Sequence, residues 1–243
     1  MNFSALIFVI MLLLSGGIGL PVGVPPAPED PMMARVIPDD VLMVASWAGV
    51  AALEPDADPT QKWMAQQEIQ VFSAKLIDAW KSHSGRKKRD ADGQQATAVK
   101  QLLMKVTETS IGNATTVYVS DFGINGQPEM FRAAAIVALG DKKQAVADLL
   151  DAFPTPEDPT DSSHYSWPEK NGVRRLRYLN PRSELVTEVG IWKNYFVIGI
   201  GEGEFDQVIA NAETAPPAWY TEHREQLPVE KFCSMSYLSL IHI

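Results

Sequence analysis

Arg174, Arg175, Arg177 and Arg182 form the densest basic cluster within regular structure in this 243-residue chain. A guanidinium is a planar fork of N–H donors that can hold a carboxylate or phosphate with two parallel hydrogen bonds. In an extended strand, residues two apart share a face, so Arg175 and Arg177 would point the same way. The four arginines are therefore the candidate ligand-binding residues, suited to an anionic group on a partner's surface. A plainer alternative is a solvated sheet face whose arginines pair with nearby Glu184 and Glu188.

Glu54, Asp56 and Asp58, in the stretch EPDADP, are the candidate metal ligands, since carboxylate oxygens suit calcium. The spacing lacks the glycine and distal glutamate of an EF-hand loop, and Asp58 precedes Pro59 as a helix cap would. Cap and turn is the preferred reading there. Gly199-Ile200-Gly201-Glu202-Gly203 follows a strand and opens a helix, the place where a phosphate-cradling loop would lie. Glu202 and Glu204 set negative charge where a pyrophosphate would sit, and no crossover to a parallel strand follows. The related stretch before Gly140 carries Ala138 where Gly199 stands, so the shared feature is a strand-to-helix turn, and no cofactor is expected.

His83, His164, His223 and His242 are scattered without metal-ligand spacing. His223-Arg224-Glu225 resembles a deaminase fragment, but the paired cysteines that hold zinc in those enzymes are missing. Neither a Gly-x-Ser-x-Gly elbow nor a His-Glu-x-x-His helix occurs. Cys233, the single cysteine, falls in an apolar strand start and reads as a buried thiol. Asn113-Ala114-Thr115 matches a glycosylation acceptor. Arg86-Lys87-Lys88-Arg89 is a solvated loop run open to nicking. Trp167 and Trp219, beside prolines, are the tryptophans expected at the surface.

The elements that must position these residues alternate between hairpins and helices. Val41 to Trp47 reads as a buried strand. A helix opens at Asp58 and continues through Ile69, Phe72, Leu76 and Trp80; a second carries Val99, Leu102, Leu103 and Val106. Thr115 to Ser120 and Met130 to Leu139 pair around an Asn125-Gly126 turn. Gly140-Asp141 then caps a helix bearing Val146, Leu149, Leu150 and Phe153. A loop rich in Pro, Asp and Ser runs to Trp167, and Asn171-Gly172 turns into the strand Val173 to Leu179. Leu185 to Trp192 pairs with Tyr195 to Ile200 around Lys193-Asn194. Helices from Glu202 to Ala212 and Ala218 to Gln226 follow, then a strand from Phe232. The order strand-strand-helix occurs twice, with hairpins in place of crossovers. It predicts an α+β fold, a mostly antiparallel sheet with helices on one face and a weak internal strand-strand-helix repeat.

Composition sets the frame. Thirty Asp and Glu against 21 Lys and Arg give a formal net charge of −9, which argues against a nucleic-acid partner. One cysteine excludes an intrachain disulfide framework. Residues 1–20 read as a signal peptide or N-terminal anchor: Ala5 to Leu14 is an unbroken apolar run ending at Ser15-Gly16-Gly17. Cleavage is expected near Leu20, and membrane contact is expected only through residues 1–20 if they stay attached. Gly17 stands where a lipoprotein would need cysteine. Residues 21–34 are read as a proline-rich linker, and 35–243 as one α+β domain. The chain stops within an apparent strand, and Ser239-Leu240-Ile241-His242-Ile243 resembles a translated sequencing adapter, so a C-terminally truncated copy of a longer protein is expected.

Pro38-Asp39-Asp40 with Val41 to Trp47, Asp58-Pro59-Thr60 leading to Trp63 and Glu68-Ile69, Tyr195 to Phe205, and Pro217-Ala218-Trp219 resemble exported proteins of planctomycete-type bacteria in a family known as a domain of unknown function. The resemblance implies an extracytoplasmic location and a longer parent chain, and it transfers no catalytic residue. The expectation is a non-catalytic exported module of the cell envelope, periplasmic or extracellular, that binds an envelope protein or polymer or forms structure. The alternative is an extracytoplasmic hydrolase with a site built from loops.

Overall fold

The computed structural model describes residues 30–49, 101–102, 104–110, 112–122, 131–153, 165–179, 184–226 and 235–237, with isolated positions 66, 67, 71 and 75. Residues 1–29, Glu54, Asp56 and Asp58 of the candidate metal set, Arg182 of the arginine cluster, Cys233 and the last residues 238–243 lie outside these.

Two hairpins build the centre of the sheet. β2 (Thr115–Phe122) pairs with β3 (Phe131–Ala138), and β7 (Val186–Trp192) pairs with β8 (Tyr195–Ile200). The hairpins join along β3 and β8, with Ala135 opposite Ile198. β1 (Met43–Trp47) flanks β2, and β6 (Val173–Leu179) flanks β7. β9 (Met235–Tyr237) borders β1. β4 (Tyr165–Ser166) and β5 (Glu169–Lys170) both pair with β6, making the opposite border. The order is β4-β6-β7-β8-β3-β2-β1-β9, and these ladders are antiparallel, as expected. The loop expected to run to Trp167 therefore ends earlier, in β4. Pro168 interrupts this border strand, a position that tolerates the missing N–H.

Strand alternation sends side chains into two apolar layers. On one face Val117, Val119, Ala133, Val137 and Ile198 meet Leu102, Val106 and the helix α2 (Lys143–Asp151) through Val146 and Leu150. On the other face Tyr118, Ile136 and Val197 meet Met33, Phe205, Val208 and Ile209. Met33 belongs to α1 (Pro31–Arg35); the other three belong to α3 (Glu204–Ala212). Tyr220 of α4 (Ala218–Gln226) closes the same layer. The α+β sheet is thus covered by helices on both faces, where cover on one face was expected. The reason is that β3 and β8 are apolar at consecutive positions, so neither face of the central strands can be left to water. Each fully buried Val, Leu or Phe contributes about 1.5–3 kcal/mol.

Residues 30–34, read from sequence as linker, are folded. Asp30 accepts a hydrogen bond from the Met32 amide at 3.0 Å, Pro31 starts α1, and Met33 and Val36 are fully buried. Aspartate before proline is a helix-start signal that the surrounding prolines masked.

The two strand-strand-helix units diverge at their ends. After β3 the chain turns at Gly140 (φ +52°) through a 3-10 turn, Gly140–Lys142, and α2 covers the first layer. Asp141 pairs with Lys142 Nζ at 2.6 Å and does not cap that helix. After β8 the chain turns at Gly201 (φ +102°), and α3 covers the second layer. Gly199 makes the difference. A Cβ there would lie 2.5 Å from the Phe205 backbone nitrogen, so α3 rests directly on β8, where Ala138 of the first unit presents a side chain.

Candidate functional site

Strand alternation splits the arginine cluster. Arg174 points to the α2 side, where its Nη1 meets Asp151 Oδ1 at 2.8 Å and its guanidinium carbon lies 4.2 Å from the Trp167 ring centroid. Arg175 and Arg177 share the opposite face, as their spacing requires. Lys170 joins them, because it pairs with Val173 two residues before Arg175.

Arg175 is 1% exposed, although it is a cation. Its Nη2 meets Asp206 Oδ1 at 2.8 Å, its Nη1 lies 3.6 Å from Glu188 Oε2, and its guanidinium carbon sits 4.5 Å from the Phe205 centroid. Gly190 opposite Arg175 leaves room for that stack; a Cβ there would come within 3.2 Å of Phe205 Cζ. Arg177 Nη1 and Nη2 hold the two oxygens of Glu202 at 3.0 and 2.6 Å, and Nη1 also lies 3.6 Å from Glu188 Oε1. Lys170 Nζ reaches Asp206 Oδ2 at 2.7 Å. Three cations on β5 and β6 are matched by three carboxylates: Glu188 on β7, Glu202 in the turn before α3, and Asp206 in the first turn of α3.

These contacts set the charges. The Arg177 hydrogen bond holds the Glu202 carboxyl below its ordinary range, against a smaller opposing effect of burial. Burial alone would raise Asp206, but hydrogen bonds from Arg175 and Lys170 outweigh it and hold Asp206 low. Arg177 is raised in turn, chiefly by its bond to Glu202.

A second buried carboxylate entered the sequence reading only as a charge opposing phosphate. Glu204, 1% exposed, accepts from the Tyr118 hydroxyl at 2.8 Å and from Arg132 Nε at 2.8 Å. Burial, then the neighbouring Glu204 charge, pushes the Tyr118 hydroxyl far above its ordinary value. The signal available was the sequence Glu202-x-Glu204-x-Asp206, acidic at alternate positions beside the basic strand. Glu202 and Asp206 bond the β5–β6 border, and Glu204 bonds β2 and β3.

The remaining candidates settle as follows. Among the described residues no cluster of His, Cys, Asp or Glu is arranged to hold a metal. Gly199 lets α3 approach β8, Gly201 and Gly203 turn the chain with positive φ, and the first turn of α3 carries Glu204 and Asp206. Glu184 (φ +53°) has no ion pair with the arginines among the described residues, so of the two expected acidic partners only Glu188 is engaged. Thr115 of the acceptor motif is buried, with its hydroxyl donating to the Ser110 and Asn113 carbonyls. Trp167 and Trp219, expected at the surface, are half-buried against the two apolar layers. No helix among the described residues is long and apolar enough to cross a membrane.

Comparison with known proteins adds no relative: no protein-family model, no curated protein and no solved structure matches the chain.

Proposed function

We propose that the chain is a non-catalytic module of the cell envelope, exported through its N-terminal segment, with a binding or structural role toward an envelope protein or polymer. The observation that carries the non-catalytic part is the mutual engagement of the charged groups: Arg175, Arg177 and Lys170 with Asp206, Glu188 and Glu202, and Glu204 with Tyr118 and Arg132. A general acid or base needs a proton it can exchange with substrate and an ionisation matched to the operating pH. Glu202 and Asp206, held low by their cationic partners, are poor proton carriers near neutrality and good structural anchors.

The envelope part is supported by the apolar run Ala5 to Leu14 with its small-residue end, and by the resemblance to exported planctomycete-type proteins. Cell fractionation with photo-crosslinking of the full chain tests both parts. The expected outcome is an extracytoplasmic chain, crosslinked to one recurring envelope component and unlabelled by fluorophosphonate or epoxide hydrolase probes. Probe labelling at a single residue would replace this reading with the hydrolase.

A further inference from the structure

We propose that Glu202 is an internal stand-in for an external oxyanion, and that Arg177, with Lys170 and Ser166 beside it, is an anion-binding site that Glu202 keeps closed. The inference rests on the binding reading above and gives that reading a ligand chemistry, a carboxylate or phosphate presented with two oxygens.

Arg177 is held from two sides. Its guanidinium is tethered from the buried side by Glu188, itself 6% exposed, so it keeps its position without Glu202. Its outward fork grips the Glu202 oxygens at 3.0 and 2.6 Å, the two-pronged geometry by which an arginine recognises an oxyanion. Glu202 is 69% exposed and lies on a turn between Gly201 (φ +102°) and Gly203 (φ +77°). A Cβ at Gly203 would meet nothing within 4 Å, so the turn borders open space. Swinging the Glu202 side chain away therefore disturbs no packed group. The apolar seat of α3 begins at Phe205 and is untouched.

The energy of the exchange is small for the same reason. An exposed ion pair is worth about 1 kcal/mol or less, because water competes for both partners. Once Glu202 leaves, the set Lys170, Arg175 and Arg177 faces only Asp206 and Glu188, and one positive charge is left over. Lys170 is exposed, and its charge acts on Glu202 alongside a larger opposing effect of Asp206, which Lys170 pairs at 2.7 Å. Ser166, exposed and directly opposite Arg177 across the β4–β6 ladder, places a hydroxyl donor on the same face. An incoming oxyanion thus finds an oriented fork and a hydroxyl, with Lys170 beside them offsetting the charge of Asp206. Arg174 lies on the other face of the sheet and takes no part.

Calorimetric titration of the full chain with inorganic pyrophosphate, and separately with hexaglutamate, tests the proposal. Glu202→Gln is expected to bind at least one probe about fivefold more tightly than the unaltered chain, the factor set by removing a competitor worth about 1 kcal/mol. Binding should be lost in Arg177→Gln, weakened in Arg177→Lys because the fork is gone, and unchanged in Arg174→Gln. Preference for pyrophosphate identifies a phosphate-bearing ligand, and preference for hexaglutamate an acidic chain. Equal affinity of Glu202→Gln and the unaltered chain, no saturable binding by Glu202→Gln, or equal losses in Arg174→Gln and Arg177→Gln would each overturn the proposal. Should Arg177→Gln fail to fold, Arg177→Lys and Glu202→Gln decide it alone. Failure here leaves the crosslinking result standing, so the two readings fall separately.

Discussion

Glu204 shows how one residue fixes several elements. Its carboxylate bonds Tyr118 on β2 and Arg132 on β3 from the first position of α3, so three segments meet at two oxygens. The two donors are not equivalent. Arg132 is partly exposed and can turn to water, whereas the Tyr118 hydroxyl is buried and cannot. Glu204→Leu is therefore expected to cost about 2–3 kcal/mol, mostly from the orphaned hydroxyl. Tyr118→Phe alone should cost about 1 kcal/mol, since Arg132 still balances the charge. Together the two changes should cost less than their sum by about 1 kcal/mol, because the double variant leaves no buried donor without an acceptor. Urea unfolding of the four chains measures the coupling, and strict additivity would show that Tyr118 and Glu204 do not interact.

At the scale of elements, the strands and turns follow from local pattern. Asn171 (φ +56°) with Gly172 (φ +70°), and Lys193 (φ +53°) before Asn194, turn the chain between the strands where the sequence places them. Which face a helix covers was not legible, because that depends on what the strand beneath presents. Ala138 and Gly199 hold equivalent places before their turns and differ by one methyl group, yet α2 and α3 lie on opposite layers. The arginine row was legible as a shared face, and Glu188 as its partner across the β6–β7 hairpin, but Glu202 and Asp206 were not, since they arrive from the turn before α3 and from α3 itself through long-range packing. Gly199→Ala is the direct test of the seat. The added Cβ would lie 2.5 Å from the Phe205 nitrogen and 2.9 Å from its Cα, both backbone atoms that side-chain rotation cannot move. The expected loss is about 3 kcal/mol, at the upper end for overpacking. Gly203→Ala, strained by positive φ but free of contacts, should cost only about 1 kcal/mol. Equal melting temperatures for the two variants would mean that α3 does not rest on β8.

Across the whole molecule, the two layers that close over the sheet differ in kind. The layer under α2 is apolar out to Leu176 on β6 and Trp167 beside β5. The layer under α3 changes at that border from apolar packing to charge, with Arg175 where an aliphatic side chain would otherwise sit. Such an arrangement holds only while its carboxylates are ionised, because an unmatched buried guanidinium is costly. Asp206 and Glu202 have folded values held below their ordinary 3.8 and 4.5. Their contribution is therefore present above the unfolded values and lost as pH falls through the folded ones. Acid should loosen the β5–β6 border and α3 before it affects the α2 side. Asp206→Asn removes one of these titrations. At pH 7 it should be less stable than the unaltered chain, and the gap should narrow once the pH drops below the ordinary aspartate value and close as it falls through the lower folded value of Asp206. Urea midpoints measured across that range give the two curves. Parallel curves would show that Asp206 stabilises the fold by hydrogen bonding alone, and that its charge is not what balances Arg175.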